Sequence, residues 1–297
     1  MVILGGGESG VGAAILCRKQ GIEVFVSDSG KIPERYKNEL KQYDIAFEEE
    51  KHSEEKILNA EEDVKSPGIP EKNELVQKIK TKDIKVISEI ELAYRHKGAG
   101  KIIAITGSNG KSTTTALTGH ICKTGGMDCA VVGNIGYSFA RQVALDPKPL
   151  YVVEVSSFQL DDIENFNADI AVLLNITEDH LDRYEYRFEN YIRSKFNIIK
   201  NQTHKDYFIY CADDPVIAKH LKIHPILSNP LPFTMQHELP KGAYVSENNM
   251  NIHLDNEEFV MSVLDFAIKG KHNQYNTMAA GLAGLTIGIR KEKIRKA

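Results

Sequence analysis

The 297-residue sequence lacks tryptophan and contains only four cysteines. These cysteines form no CxxC pair and stand among apolar neighbours, so free thiols in a reducing compartment are expected. The chain also has no run of about 18 apolar residues and no signal-peptide pattern, which argues against a membrane-spanning helix and favours a cytoplasmic protein. The four thiols belong to Cys17, Cys122, Cys129 and Cys211.

Neither sign of charge dominates, because 37 Lys and Arg residues stand against 41 Asp and Glu residues. Without a long Lys/Arg block, the sequence gives no general attraction to nucleic acid or to anionic membranes. Hydrophobic residues make up 42% and charged residues 26% of the chain, which is typical of soluble globular proteins. At about 100–200 residues per domain, the length predicts two domains or three small ones.

The first 96 residues alternate short apolar strands with helical patterns. Such alternation predicts a parallel sheet with helices on its faces, which is a Rossmann-like domain over residues 1–96. Two prolines and a glycine force a loop at 66–70. Strands are predicted at 2–4, 23–27, 63–65 and 85–87, and helices at 10–20 and 89–95.

A second α/β unit follows a linker at 96–100. Several of its strands are continuous apolar runs, as expected when helices cover both faces of a sheet. Short alternating runs between 243 and 264 predict a small antiparallel sheet, and a long helix is predicted over 272–289. The predicted strands are 102–106, 129–132, 151–155, 170–175 and 207–211, within a P-loop-type ATPase domain over 97–290.

The first glycine-rich stretch, GGGESG at 5–10, fits the pattern GxGxxG between a strand and a helix. Its backbone can turn tightly, and the helix N-terminus offers N–H donors to a phosphate group. Asp28 follows the second strand, near the spacing of a ribose-contacting carboxylate. Three interpretations stay open: an NAD(P) site, a cradle for the diphosphate of a UDP-sugar, and a purely structural turn.

The second glycine-rich stretch, TGSNGKSTT at 106–114, follows a strand and opens a helix. Its N–H groups can cradle phosphates, Lys111 can reach the β- and γ-phosphates, and the Ser112 hydroxyl can ligate Mg²⁺. It departs from the general Walker pattern because Ile105 stands where the first glycine would be. ATP binding is predicted.

This loop resembles the ATP loop of the Mur ligases and of their folylpolyglutamate synthetase relatives. Further blocks of the family agree in the same order and extend over nearly the whole chain. The block EVSSFQL most resembles the D-glutamate-adding branch of the family. The matching blocks are GNIG at 133–136, EVSSFQL at 154–160, NITEDHLD at 175–182, YIRSK at 191–195 and HNQYN at 272–276.

The resemblance implies a role for each matching residue. The catalytic set would be Lys111, Glu154, His180 and Lys195. ATP contacts would come from Gly107, Ser108, Asn109, Gly110, Lys111, Ser112, Thr113 and Asn276. The UDP-linked substrate would meet Gly7, Glu8, Ser9, Asp28, Ser29, Asn134, Ser157 and Gln159. Two Mg²⁺ ions would be held by Ser112, Glu154, His180 and a CO₂-derived carbamate on Lys195.

Simpler interpretations compete with several of these roles. Glu154 ends a strand at the sheet edge where ligands gather, but a strand-end carboxylate can also be merely solvated. His180 alone would be read as a surface residue, Lys195 as a solvated helix residue and Asn276 as a polar helix-surface residue. Gly30 departs from the family pattern, because the best-known relatives often carry a basic residue near this position, and the resemblance therefore does not specify the details of uracil and diphosphate recognition.

The resemblance implies an ATP-dependent ligase that adds D-glutamate to UDP-N-acetylmuramoyl-L-alanine through an acyl phosphate, in peptidoglycan synthesis. The family's third domain would begin at 291–297, so slow or absent turnover is expected of this chain. A monomer is expected, with no nucleic acid or membrane as partner. The rival hypotheses are a sister ligase for another amino acid, an NAD(P)-binding module fused to a P-loop domain, and a non-catalytic nucleotide sensor.

Overall fold

The computed structural model describes residues 1–255 and 257–297. The chain forms two compact units, and the first unit includes two segments that follow residue 99. The predicted domain boundaries stay predictions. The first unit comprises Met1–Ala99, Val132–Lys148 and Ser157–Phe166, and the second Gly100–Val131, Pro149–Ser156 and Asn167–Ala297.

The first unit contains a parallel sheet with the strand order β3-β2-β1-β4-β5. This confirms the predicted Rossmann-like sheet and adds a strand, β3, that is too short to be recognised by periodicity. Residues 1–99 form β1 (Val2–Leu4), α1 (Glu8–Lys19), β2 (Phe25–Ser27), α2 (Glu34–Gln42), β3 (Ala46–Glu48), α3 (Glu54–Ile57), β4 (Glu62–Lys65), α4 (Glu74–Thr81), β5 (Lys85–Ser88) and α5 (Glu89–His96).

Residues 100–297 continue the alternation and end in a hairpin-rich segment followed by two helices. The elements are β6 (Lys101–Thr106), α6 (Lys111–Thr124), β7 (Cys129–Gly133), α7 (Phe139–Leu145), β8 (Leu150–Glu154), α8 (Ser157–Asp161), β9 (Ile170–Leu173), α9 (Phe188–Phe196), β10 (Tyr207–Cys211), α10 (Pro215–Ile223), β11 (Asn229–Thr234), β12 (Gly242–Ser246), β13 (Asn249–Leu254), β14 (Glu257–Ser262), α11 (Lys271–Thr286) and α12 (Lys291–Lys296).

Within the described residues, the second sheet has nine strands in the order β14-β13-β12-β11-β10-β9-β6-β8-β7. Strand β6 pairs in parallel with β8 and β9, and all three are buried almost throughout. Strand β13 is antiparallel to both of its neighbours, which confirms the predicted antiparallel part. The carboxyl ends of β6, β8 and β9 therefore meet at one sheet edge, where ligands gather in α/β proteins.

The end of the chain differs from its prediction. The helix predicted over 272–289 ends at Thr286, because Gly288 takes a φ of +95° that continues no helix. A second helix, α12, follows, and its Ile294 is buried. All four cysteines are buried free thiols. No described helix combines the length and the apolar character that crossing a membrane requires.

Buried carboxylates fix the backbone of the first unit. Glu91 in α5 is fully buried and accepts hydrogen bonds from the backbone N–H groups of 164–166 at 2.8–3.1 Å. Arg95 donates to the same carboxylate at 2.8 Å. These bonds anchor the segment that follows α8, because removing them would leave three backbone donors unpaired, the buried Phe166 N–H among them.

Glu89, at the start of α5, generates a prediction about pH. Its Oε1 accepts from the Ser138 hydroxyl and the Ala140 N–H, both at 2.6 Å, and among the described residues Oε2 has no hydrogen-bond partner. Burial raises the pKa of Glu89 to about 7, against the opposing effect of those two hydrogen bonds. The unfolded value is about 4.3, so the folded state binds the proton more tightly.

The stability supplied by protonated Glu89 is therefore fully present below about pH 4 and lost as pH rises to about 7, by roughly 3 kcal/mol. In Glu89→Gln the amide oxygen keeps both hydrogen bonds and does not titrate, so urea unfolding should depend less on pH. The control Glu61→Gln, at an exposed position, should follow the parent chain. Parallel pH curves for Glu89→Gln and the parent would contradict the assignment.

Candidate functional site

The phosphate loop lies between β6 and α6. Gly110 has a φ of +82°, a conformation that side chains disfavour, and a Cβ there would lie 2.6 Å from Oδ1 of Asn276. A glycine is therefore required at this position. The loop leads directly into the N-terminus of α6, whose first N–H groups have no partner within the helix. Ser112 and Thr113 are exposed in that first turn.

Lys111 folds back over the loop. Its Nζ donates to the carbonyls of Gly107 and Ser108, both at 2.8 Å. Burial lowers the pKa of Lys111, while the negative charges of Glu154 and Asp179 act in the opposite direction. The ammonium group is thus held at the loop among acidic side chains, where it can transfer its donors to phosphate oxygens.

The segment after β9 is bonded to the phosphate loop. The Ser108 hydroxyl donates to the Thr177 carbonyl at 3.0 Å and accepts from the Thr177 N–H at 2.9 Å. The Asn109 N–H donates to Asn175 Oδ1 at 2.8 Å, and the Asn175 amide donates back to the Asn109 carbonyl at 3.0 Å. These reciprocal bonds fix the loop conformation before any ligand arrives, which lowers the entropy cost of binding.

Lys195 lies beneath the same loop and is not a solvated helix residue. The residue is only 2% exposed, and Nζ donates to the Gly107 carbonyl at 2.9 Å and the Thr106 hydroxyl at 3.3 Å. The Tyr191 ring centroid is 5.2 Å from Nζ. Lys111 and Lys195 thus share one acceptor, the carbonyl of Gly107.

The three oxygen and nitrogen donors predicted for metal ions differ in their surroundings. Glu154 is the last residue of β8 and is buried, which rules out a merely solvated strand-end charge. His180 is exposed and has a left-handed backbone conformation, and its Nε2 lies 3.4 Å from Asp179 Oδ2. Ser112 stands in the first turn of α6.

Across 1–255 and 257–297, no group of three or more His, Cys, Asp or Glu residues is placed to hold a metal ion. Mg²⁺ commonly takes one or two protein oxygens and completes its shell with water and phosphate oxygens. The Ser112 hydroxyl and the Glu154 carboxylate are oxygen groups of the kind that such a site uses.

A pocket opens beside the phosphate loop. It brings the predicted Asn109, Gly110 and Asn276 together with two residues that the sequence interpretation missed, Asp213 and Tyr275. The Tyr275 hydroxyl donates to Asp213 Oδ2 at 2.7 Å. Asp213 stands two residues after a predicted parallel strand, and this position could have identified it as a residue at the ligand-binding edge of the sheet. The remaining lining residues include Asn175, Thr177, Asp214 and His272.

The first unit has a separate pocket at its own glycine-rich loop. Gly10 has no room for a side chain, because a Cβ would lie 1.8 Å from the Gly5 carbonyl oxygen. The pocket brings together the predicted Gly7, Glu8, Ser9, Asp28 and Ser29. The other predicted substrate residues do not line it: Asn134 is exposed after β7, and Ser157 and Gln159 are buried in α8.

Two carboxylates of this pocket hold protein groups. Asp28 accepts from the N–H groups of Gly6 and Gly30, at 2.6 and 2.7 Å, so Gly30 completes a turn around it. Glu8 accepts from Arg141 Nε at 2.9 Å and from the Ser138 N–H at 3.1 Å. Neutralising Glu8 in this way leaves the helix N-terminus suitable for an anion.

The sequence interpretation missed another part of this pocket. His52, from the segment after β3, and the loop 66–69 complete its lining. The two prolines indicated a loop at 66–70, but they did not indicate that this loop lines the pocket. His52 was not predicted as a site residue because strand β3 was not predicted. Without that strand, there was no reason in the sequence to expect this histidine at a sheet edge.

Parallel strands that carry a glycine-rich loop, a loop lysine and a helix N-terminus at one sheet edge are typical of nucleotide-binding proteins of the P-loop type. The family descriptions agree with this geometry. Residues 105–284 match the Mur ligase middle domain, and residues 1–88 match the N-terminal domain described as Mur ligase MurD-like. The chain belongs to the Mur ligase family.

Curated relatives include two proteins named UDP-N-acetylmuramoylalanine–D-glutamate ligase. The protein of Christiangramia forsetii is 49% identical over 296 residues, which cover 100% of this chain and 66% of the relative. The protein of Cytophaga hutchinsonii is 53% identical over 290 residues, covering 97% of this chain and 64% of the relative. The chain therefore spans slightly less than two thirds of the length of these relatives.

Solved structures show the same fold. A UDP-N-acetylmuramate:L-alanyl-gamma-D-glutamyl-meso-diaminopimelate ligase from Neisseria meningitides aligns with a TM-score of 0.69 at 15% identity, over 99% of this chain and 95% of that chain. The UDP-N-acetylmuramate-alanine ligase of Thermotoga maritima aligns with a TM-score of 0.57 at 18% identity, over 99% and 66%. The predicted α/β fold class is confirmed.

Proposed function

We propose that this chain provides the nucleotide-binding parts of an ATP-dependent ligase that adds D-glutamate to UDP-N-acetylmuramoyl-L-alanine. The observation that carries the proposal is the phosphate loop, with Lys111 and the buried Lys195 both bonded to the Gly107 carbonyl. A non-catalytic nucleotide sensor has no need of a second buried lysine there. The names of the relatives that are 47–53% identical supply the substrate.

The loop would bind the phosphates of ATP. The backbone N–H groups at the N-terminus of α6 would face the anion, and Lys111 would exchange its bonds to the Gly107 and Ser108 carbonyls for bonds to phosphate oxygens. Asn276, packed against Gly110, holds the loop beside the nucleotide pocket. The loop is already fixed, so most of its contribution is positioning and electrostatic stabilisation of the transferring phosphoryl group.

The reaction would proceed in two displacements. An oxygen of the substrate's alanyl carboxylate attacks the γ-phosphorus, and the bond to the β,γ-bridging oxygen breaks, giving an acyl phosphate and ADP. The amine of D-glutamate then attacks the acyl carbon, phosphate leaves, and the nitrogen gives up a proton as the amide forms. Activation is needed because a free carboxylate is a poor electrophile.

Mg²⁺ would supply neutralising charge at this site. Ser112 and Glu154 would hold one ion, and His180 together with a carbamate on Lys195 would serve a second. Within the protein itself, Glu154 and Asp179 balance the charge of Lys111. The same proposal includes slow turnover by this chain, a monomeric state and a cytoplasmic location.

The UDP part of the substrate would bind at the pocket of the first unit. Its diphosphate faces the N-terminus of α1, where Arg141 already neutralises Glu8. The rival NAD(P) interpretation uses the same pocket, so a ligand comparison separates the two.

Calorimetric titration of this chain should show binding of UDP-N-acetylmuramoyl-L-alanine and none of NADH. Lys111→Met should weaken ATP binding by about tenfold or more, because it removes a charge-assisted donor, and should leave binding of the UDP compound unchanged. Lys123→Met, on an exposed position of the same helix, serves as the control. Binding of NADH alone would refute the ligase assignment.

The carbamate on Lys195 has a direct test. The uncharged amine would add to CO₂, forming a C–N bond and losing a proton, which converts a cation into an anion able to face Mg²⁺. Addition of ¹³C-bicarbonate should then give a carbamate resonance in the ¹³C NMR spectrum, and Lys195→Gln should lose it. Lys200→Gln, at an exposed position, should keep it. A spectrum without the resonance in the parent chain would contradict carbamylation.

A further inference from the structure

His52 lies in the pocket of the first unit and has no role in the ligase mechanism described above. Its ring is half-buried, and Nδ1 lies 2.7 Å from the Ser27 hydroxyl. Among the described residues, the hydrogen bond found for the ring is this one at Nδ1, and Nε2 is left to the pocket that His52 lines. The protonation of the ring therefore decides whether Nε2 offers the pocket a donor or an acceptor.

The chain of hydrogen bonds behind His52 begins at Glu48. This carboxylate is buried and accepts from the Ser53 N–H at 2.7 Å, the Ser53 hydroxyl at 2.6 Å and the Ser27 hydroxyl at 2.8 Å. Burial acts to raise the pKa of Glu48, but the hydrogen bonds from Ser53 and Ser27 outweigh it, and the pKa is lowered. Glu48 is therefore ionised near neutral pH and can only accept.

The direction of the next bond follows from proton counting. The Ser27 hydroxyl has one proton, and Glu48 receives it. Toward His52 the Ser27 oxygen can then only accept, so Nδ1 of His52 must carry the proton. A neutral imidazole has one protonated nitrogen, which leaves Nε2 as an acceptor.

The carboxylates that line the same pocket are already engaged by protein groups. Asp28 is already bonded to the Gly6 and Gly30 N–H groups, and Glu8 to Arg141. The start of α1 offers backbone N–H donors that suit a diphosphate. A nucleoside attached to that diphosphate brings hydrogen-bond donors of its own, the imide N3–H of uracil and the ribose hydroxyls.

We propose that His52 is a specificity-determining residue for the UDP-linked substrate, whose Nε2 accepts a hydrogen bond from the uridine moiety, with Ser27 and Glu48 fixing the required tautomer. This inference rests on the proposed function of the pocket. It assigns His52 to contact with the ligand, and Ser27 and Glu48 to positioning.

The test is a titration of this chain with UDP, N3-methyl-UDP and 2′-deoxy-UDP at pH 8, where imidazole is generally neutral. The parent chain should bind one of the two analogues about three- to tenfold more weakly than UDP, as expected for one lost hydrogen bond. The N3-methyl arm reports the uracil imide and the deoxy arm reports the ribose.

Two substitutions of His52 separate its two nitrogens. His52→Asn places an amide near the Nδ1 position, so it can keep the bond to Ser27 but lacks the distal acceptor. It should bind UDP about three- to tenfold more weakly and no longer discriminate against the sensitive analogue. His52→Gln, whose carbonyl reaches toward the Nε2 position, should recover part of the affinity.

Ser27→Ala tests the positioning role. It leaves the ring free to carry its proton on Nε2, so UDP affinity and analogue discrimination should both fall while the fold is retained. The control His204→Asn, at an exposed histidine of the second unit, should behave as the parent. Circular dichroism and unfolding midpoints show whether each variant is folded.

The outcomes distinguish this inference from the proposed function. Equal penalties for the analogues in the parent chain and in folded His52→Asn would overturn the role of His52, although UDP binding itself would stand. If the folded parent chain binds no uridine compound, the proposed function of the pocket fails, and the role of His52 fails with it.

Discussion

The conformation of the phosphate loop depends on one backbone oxygen, the carbonyl of Gly107. Two ammonium groups donate to it, Lys111 from the start of α6 and Lys195 from α9, at 2.8 and 2.9 Å. A carbonyl that accepts from two cations holds its peptide in one orientation. The loop that follows is thereby held in place, and it leads into the N-terminus of α6, whose first N–H groups suit an anion.

In the first unit, negatively charged side chains instead of lysines fix the backbone. Its anchors are carboxylates, Asp28, Glu48 and Glu91, which accept from backbone N–H groups or from hydroxyls of neighbouring segments. A negative charge next to a phosphate site is unfavourable unless its lone pairs are engaged. The pocket therefore tolerates Glu8 and Asp28 because both are bonded to protein groups, and the N-terminus of α1 stays available for an anion.

The sequence predicted the parts of the molecule that depend on local patterns. Apolar runs located the central strands, and the glycine–lysine–serine turn located the phosphate loop, because both signals lie within a few residues. It could not predict the burial of Lys195, since a polar helix residue has the same local sequence whether it faces solvent or a loop. It also missed His52 and Asp213, which reach their pockets only through the pairing of distant strands.

The resemblance supplied residue roles that local physics could not. Nothing in the pattern around Lys195 suggests a carbamate, and nothing in the loop around His180 suggests a ligand rather than a surface residue. For Lys195 the structure shows burial and a hydrogen bond to the phosphate loop, and the carbamate stays a prediction. For His180 it shows an exposed side chain beside Asp179, and its role stays a prediction.

The proposed reaction requires that the substrate carboxylate is phosphorylated at the phosphate loop. The most direct measurement follows ¹⁸O from the alanyl carboxylate of UDP-N-acetylmuramoyl-L-alanine, with ATP, D-glutamate and the protein at high concentration so that slow turnover is visible. Mass spectrometry should find one labelled oxygen in the phosphate released and the other in the amide product. Phosphate released without ¹⁸O would mean that no acyl phosphate forms and would contradict the account.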